Sequence, residues 1–257
     1  MTAPGRSARF VAWANATLVA GVSPDEAALQ IRGDDPPHRV DGLPLGDGQS
    51  LTVVLAWLAR VSGWSVRLVL PVPGDPIGLP GPGPLAIAAL AGGEAAVLSE
   101  MDGPSYGLVP NSEAGLVRWT AHAVESQAAA VPAPLPSLAE ADRGLAIALR
   151  EATEQLSRLD VARLPPGGAE SLAALRDGHL DGAGLAPGYP PRAYALLVRA
   201  RRLRVVSSLA FADDGGAITA AEASARRDVL EELERAARHA ETAAYNAVFE
   251  ERTARSG

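Results

Sequence analysis

The last third of the chain constrains its fold most. From Tyr189 to Arg252 it reads as two long helices joined at Asp213-Asp214-Gly215-Gly216. Thr219 and Glu222 form a capping box, in which hydroxyl and carboxylate each accept from the other residue's backbone N–H. The helix they open has no Pro or Gly up to about Arg255. Ala225, Val229, Leu233, Ala236, Ala240, Ala243 and Ala247 recur every three or four residues and make one apolar face. Glu222 with Arg226, Glu231 with Arg235 and Glu234 with Arg238 are acid-first pairs four apart, expected on the other face. The preceding helix enters through Pro190-Pro191 and buries Ala193, Leu196, Leu197, Ala200, Leu203, Ser207 and Ala210. The Asp/Gly turn tolerates a left-handed backbone, and so short a connection makes the helices antiparallel neighbours. Tyr245, Val248 and Phe249 are large groups on an Ala-rich helix. They dock onto the N-terminal part of the same chain or meet a second chain.

Further upstream the pattern is mixed. The 257 residues suffice for one large or two modest domains. Ala8 to Ala20 reads as a helix, and Ser23-Pro24-Asp25-Glu26 is a second capping box with Pro at the first helical position. Strands are expected at His38 to Leu43, Ser65 to Leu70, Glu94 to Ser99, Tyr106 to Val109 and Leu116 to Val124. Between Tyr106 and Leu116, Pro110-Asn111 reads as a breaker. Helices are expected at Leu51 to Val61 and Leu85 to Ala91. In Ser65 to Leu70, Val66, Leu68 and Leu70 alternate with Arg67, the pattern of a half-buried strand. An Ala/Pro-rich stretch follows, then a third capping box, Ser137 with Glu140, opens a helix to about Leu159. Residues 168–177 read as a short helix. The fold class is α+β, with a mixed α/β layer over 1–126, a linker over 127–136 and an antiparallel helical bundle over 137–257.

Composition excludes several chemistries. The chain has no Cys, which removes disulfides, thiolate metal sites and a Cys nucleophile. All 23 basic residues are Arg, so Schiff-base chemistry and a P-loop lack their amine. The net charge of −7 lies mostly before residue 126 and gives no electrostatic footprint for nucleic acid or anionic lipid. There is no signal-peptide pattern and no apolar run of ~18 residues. A cytoplasmic protein is expected, with no nucleic-acid or membrane partner.

The four histidines, His38, His122, His179 and His239, show no metal-pair spacing, and no cofactor motif is present. The Pro71–Pro84 loop is the best pocket candidate, because it leads from a strand into a helix N-terminus. Gly74, Asp75 and His38 are its candidate ligand-binding residues, with no catalytic set. Four of the loop's prolines, at 76, 80, 82 and 84, remove the N–H donors that a phosphate cradle uses. A rigid loop covering a sheet end is the plainer reading. Asp34, Asp35, Asp41 and Asp47 carry oxygen ligands that suit a hard cation, but at a spacing that fits caps and turns better. Arg199, Arg201, Arg202 and Arg204 scatter around their helix, as arginines that snorkel and pair with neighbouring acids do.

Five stretches together resemble a family of uncharacterised actinobacterial proteins. They are Phe10 to Asn15, Leu70 to Pro76, Gly188 to Ala193, Asp213 to Glu222 and Ala243 to Ala247. The resemblance covers most of the chain and implies a cytoplasmic actinobacterial setting, without an activity or a functional residue. The expected function is therefore a non-enzymatic interaction or regulatory role, through a protein partner or a homodimer of the C-terminal helices. The alternative is a small-molecule binder or enzyme at the Pro71–Pro84 loop.

Overall fold

The computed structural model describes residues 5–61, 63–101, 103–124, 135–158, 184–211 and 220–248. The Thr219 cap, the 213–216 turn, the 168–177 helix, Phe249 and most of the linker lie outside these. The described residues form two compact units that are not continuous in sequence. One comprises 5–61, 63–101, 103–124, 135, 184–190 and 245–248, and the other comprises 136–158, 191–211 and 220–244.

The first unit is a five-stranded sheet with helices on both faces. Its strands are β1 (His38–Asp41), β2 (Trp64–Val69), β3 (Ala95–Glu100), β4 (Ser105–Glu113) and β5 (Leu116–Val124). Their order is β1-β5-β4-β3-β2, with β1 parallel to β5 and every other pair antiparallel. Pro110 does not break β4, which continues to Glu113 and pairs Pro110 with Trp119. Its pairing with β3 ends at Leu108, so the missing N–H falls where β4 has a free edge.

Facing pairs place Val40, Trp119, Leu108, Ala96 and Leu68 on one side of the sheet. The helices α1 (Arg6–Ala20), α2 (Pro24–Arg32) and α3 (Leu51–Arg60) accompany this side. Phe10 of α1 meets Trp119 at 5.2 Å between ring centroids, and Trp57 of α3 meets Trp64 at 4.9 Å. Ser23 caps α2 as expected, and Ser50 caps α3 by accepting from Val53 N–H. Gly5 gives α1 no side-chain cap. The carboxylate of Glu94 does that work from a distance, accepting from Ser7 N–H at 2.8 Å.

The opposite side carries Val69, Ala95, Val97 and Val109, which pack with Leu85 and Ala89 of α4 (Pro84–Gly92) and with Leu79 of the preceding loop. Gly107 makes this possible. A Cβ there would stand 2.2 Å from Leu85 Cδ1 and 2.7 Å from Cγ, so only glycine lets α4 come this close to β4.

The outer edge of β2 is closed by side chains distant in sequence. Asn246 accepts from Leu68 N–H at 2.8 Å through Oδ1 and donates to Leu68 C=O at 3.0 Å through Nδ2. One carboxamide thus supplies the pair of bonds that a neighbouring strand residue would supply. Two residues earlier along the strand, Asn15 Nδ2 donates to Val66 C=O at 2.9 Å. Tyr189 links the two asparagine positions, because its hydroxyl receives Asn15 Nδ2 at 3.4 Å and donates to Tyr245 C=O at 2.8 Å. Tyr245 and Val248 are buried, so of the two readings of the tail these two side chains follow docking within the chain.

The second unit contains α5 (Leu138–Arg158), α6 (Pro191–Phe211) and most of α7 (Ala220–Asn246). The Ser137 box is complete, with Glu140 accepting from Ser137 N–H and Ser137 Oγ accepting from Glu140 N–H. Ala148 and Ala152 of α5, Val229 and Leu233 of α7, and Leu203 of α6 share one apolar cluster. The pairs Arg201–Glu241 and Arg204–Glu234 run in opposite senses along α6 and α7, which are antiparallel. α7 differs from its expected pattern. It spans Ala220–Asn246, and Arg235 pairs with Glu232 instead of Glu231; Arg226, Arg238 and Glu241 are buried. Glu234–Arg238 forms as expected, at 3.4 Å.

The Gly107 contact is directly testable. Gly107→Ala should lower stability by about 1–3 kcal/mol through overpacking against Leu85, read as a shifted denaturant midpoint. An unshifted midpoint would contradict the close seating of α4 on β4.

Candidate functional site

The most concentrated chemistry lies where β1 begins. His38 is buried between Trp119 and Asp35. Trp119 Nε1 donates to His38 Nδ1 at 3.2 Å, which leaves the proton of the neutral ring on Nε2. Nε2 stands 3.7 Å from Asp35 Oδ2, beyond hydrogen-bond reach, and is buried without a partner. Asp35 is committed elsewhere. Arg6 clamps it through Nε at 3.0 Å and Nη2 at 2.9 Å, and Arg9 bonds to the same carboxylate. Arg9 also donates to Arg32 C=O at 3.1 Å, and Arg6 to Ser112 Oγ at 2.6 Å, so the cluster ties α1, the end of α2 and β4 together.

The electrostatics follow from that wiring. The hydrogen bond from Arg6, with those from Arg9, holds Asp35 at a pKa of about 2. Burial pushes His38 down to about 4, against the pull of Asp35. His38 is therefore neutral near pH 7, and its one exchangeable proton faces a carboxylate already held by two guanidiniums. This arrangement locks three elements and does not present a base to solvent.

A groove of about 260 Å³ adjoins this cluster. Asp25, Ala28, Leu29 and Arg32 form one wall on a single face of α2, Pro37 to Arg39 form a second, and Ser50 to Thr52 at the start of α3 form the third. Leu29 is 62% exposed at its mouth.

The other sequence candidates lie apart from it. Gly74 and Asp75 sit in the loop after β2, in a turn closed by Val72 N–H to Asp75 C=O at 3.2 Å and Asp75 N–H to Val72 C=O at 2.9 Å. Gly74 has φ 85°, which suits that turn. β1 and β2 are opposite edges of the sheet, four strand spacings or roughly 19 Å apart. The fold thus does not bring His38 to Asp75 and Gly74. Asp41 and Asp47 accept from Gly48 N–H at 2.6 Å and Gly42 N–H at 2.9 Å, closing their loop as turn residues. Among the described residues, no three His, Asp or Glu side chains are grouped to hold a metal ion. Arg199 pairs with Asp142, Arg201 with Glu241 at 3.1 Å, and Arg204 with Glu234 at 3.2 Å and Glu241 at 2.5 Å, the pairing with neighbouring acids expected of them. No described helix is long and apolar enough to cross a membrane.

Sequence reasoning missed the Arg6–Arg9–Asp35–His38–Trp119 cluster. Its members come from α1, the turn after α2, β1 and β5, and no local spacing signals them. Glu94 was missed likewise. Burial raises its pKa, and the N–H of Ser7 is its partner.

Fold and site together define a two-part α+β protein whose titratable cluster is structural. The chain matches the model of the Rv1486c-like protein N-terminal domain over residues 7–136 and that of the C-terminal domain over residues 139–242. It belongs to the Rv1486c-like family, in agreement with the family resemblance of its sequence. No curated protein and no solved structure matches it.

The pH dependence of stability tests the cluster. His38 in the unfolded chain takes a proton near 6.5 and in the folded chain near 4, so the unfolded state binds more protons between these values. Stability should therefore fall as pH drops from 6.5 to 4, by roughly 2–3 kcal/mol at most. Asp35 extends the loss from 3.8 towards 2, where its ionised form is progressively protonated. His38→Asn should flatten the upper window and leave the lower one. A wild-type profile flat between pH 6.5 and 4 would contradict the buried neutral imidazole.

Proposed function

We propose that this protein acts by contact, as a cytoplasmic interaction or regulatory protein, and not by catalysing a reaction. One observation carries the reading. From Pro76 to Gly93, eighteen consecutive residues have no charged or hydrogen-bonding side chain. The chain elsewhere is rich in Arg, Asp and Glu. Much of this stretch is at the surface, where Ile87 of α4 is 73% exposed and Pro76, Pro82, Pro84, Ala91 and Gly92 are exposed with it. Exposed apolar positions gathered in one uncharged stretch are of the composition that docking sites use. The same stretch covers most of the Pro71–Pro84 loop, so the loop contributes as a surface and not as a cradle. A second reading, a small-molecule site, is favoured by the groove beside His38, whose lining sets Ala28, Leu29, Pro37 and Leu51 beside the charged Asp25, Arg32 and Arg39 and so suits a small amphipathic ligand.

A photo-crosslinking amino acid in place of Ile87, in the full chain within cells, tests the first reading. It should give a discrete protein adduct that the same group in place of the exposed Glu151 does not give. No adduct, or equal adducts at both positions, would contradict a contact surface at α4.

A further inference from the structure

We propose that α7 acts as a strap on the sheet: the outer edge of β2 stays closed only while the helical unit is folded, and loosening of that unit opens the edge at Leu68. The residues that close β2 stand at the two ends of the helical pair. Tyr189 lies two residues before α6 begins at Pro191, and Asn246 is the last residue of α7. The Tyr189 hydroxyl donates to Tyr245 C=O at 2.8 Å, so the chain is pinned to itself where it enters α6 and where it leaves α7. Asn15, Leu68, Tyr189, Tyr245 and Asn246 all belong to the first unit, whereas α6 and α7 up to Ala244 belong to the second.

Helix cooperativity supplies the coupling. A helical turn is held by bonds that reach back four residues, and a single turn does not form alone, because nucleation is unfavourable by a factor of about 1,000. Tyr245 and Asn246 are therefore helical only as the continuation of the turns before them. Those turns are held within the helical unit. Glu241 is buried and pairs with Arg201 at 3.1 Å and Arg204 at 2.5 Å, both of α6. Thr242 is buried and donates its hydroxyl to Arg238 C=O at 2.9 Å. Earlier in the helix, Val229 and Leu233 pack with Ala148 and Ala152 of α5. When these turns give way, the last turn loses its support, and the Asn246 carboxamide is no longer held against both outward groups of Leu68. Leu68 then presents an N–H and a C=O that on an edge strand are open to pairing. β4 lies between β3 and β5 and keeps its own ladders. The strap is separate from the α4 surface and does not depend on it.

Residue-resolved hydrogen exchange of the full chain tests the strap. Leu233→Ala truncates the helical cluster thirteen residues before Asn246, roughly 20 Å away along the helix. Amides of α7 near it, such as Ala237, should exchange at least about tenfold faster than in the wild type. The Leu68 amide should accelerate with them by a similar factor, and the Leu108 amide of β4 should not change. Val229→Ala, a smaller truncation in the same cluster, should give the same pair of accelerations at a lower factor, and it carries the test if Leu233→Ala does not fold. In Asn246→Ala, where the cap is already gone, adding Leu233→Ala should leave the Leu68 rate as it is. A Leu68 amide that keeps its wild-type rate while α7 accelerates overturns the proposal. So does an equal acceleration of Leu108, or a further acceleration of Leu68 in the double variant.

Discussion

The first unit depends on how the edge of β2 is satisfied. An edge strand exposes N–H and C=O groups that either meet water, recruit another strand or are capped. Here Leu68 gives both of its outward groups to Asn246, and Val66 gives its carbonyl to Asn15. Each such bond contributes about 1 kcal/mol net, and leaving a buried partner unpaired costs about 1–3 kcal/mol. Asn246 is 178 residues away from Leu68, so the edge of the sheet is closed by the last residue of α7. Burial pushes the Tyr189 phenol up in pKa, which keeps it protonated as the donor to Tyr245 C=O.

The same logic applies to several other charged and polar groups among the described residues, which are committed to partners distant in sequence. Asp35 is held by Arg6 and Arg9, His38 by Trp119, Glu94 by the start of α1, and Glu241 by Arg201 and Arg204. Each ties together elements that are separate in sequence. On the other face of the sheet, Gly107 lets Leu85 seat α4 closely on β4. The helix is anchored by Leu85 and Ala89, with Ala86, Ala88 and Leu90 partly buried against the same cluster, and Ile87 is left exposed.

Local chemistry was legible in the sequence. Ser23 and Ser137 mark helix starts where the structure has them, and the alternation of Val66, Arg67 and Leu68 marks β2. Non-local pairing was not. Nothing near His38 indicates that β1 lies parallel to β5, and Pro110 looks like a breaker until it is known that β4 runs past the start of β3. Helical period alone does not show that Arg226, Arg238 and Glu241 are buried. Of the candidate site residues, His38 was legible as a polar group after two prolines, but its partners Trp119 and Asp35 come together only through the fold. The stretches that carry the family resemblance contain Asn15, Tyr189, Tyr245 and Asn246, the residues that close β2.

Amide hydrogen exchange at Leu68 tests this account most directly. In the wild type the Leu68 N–H should be protected although it lies on the outer edge of the sheet. In Asn246→Ala its exchange should accelerate by about tenfold or more, the equivalent of one lost hydrogen bond, while amides of β4 between β3 and β5 keep their protection. A Leu68 amide unprotected in the wild type, or equally protected in Asn246→Ala, would contradict the closure of β2 by the end of the chain.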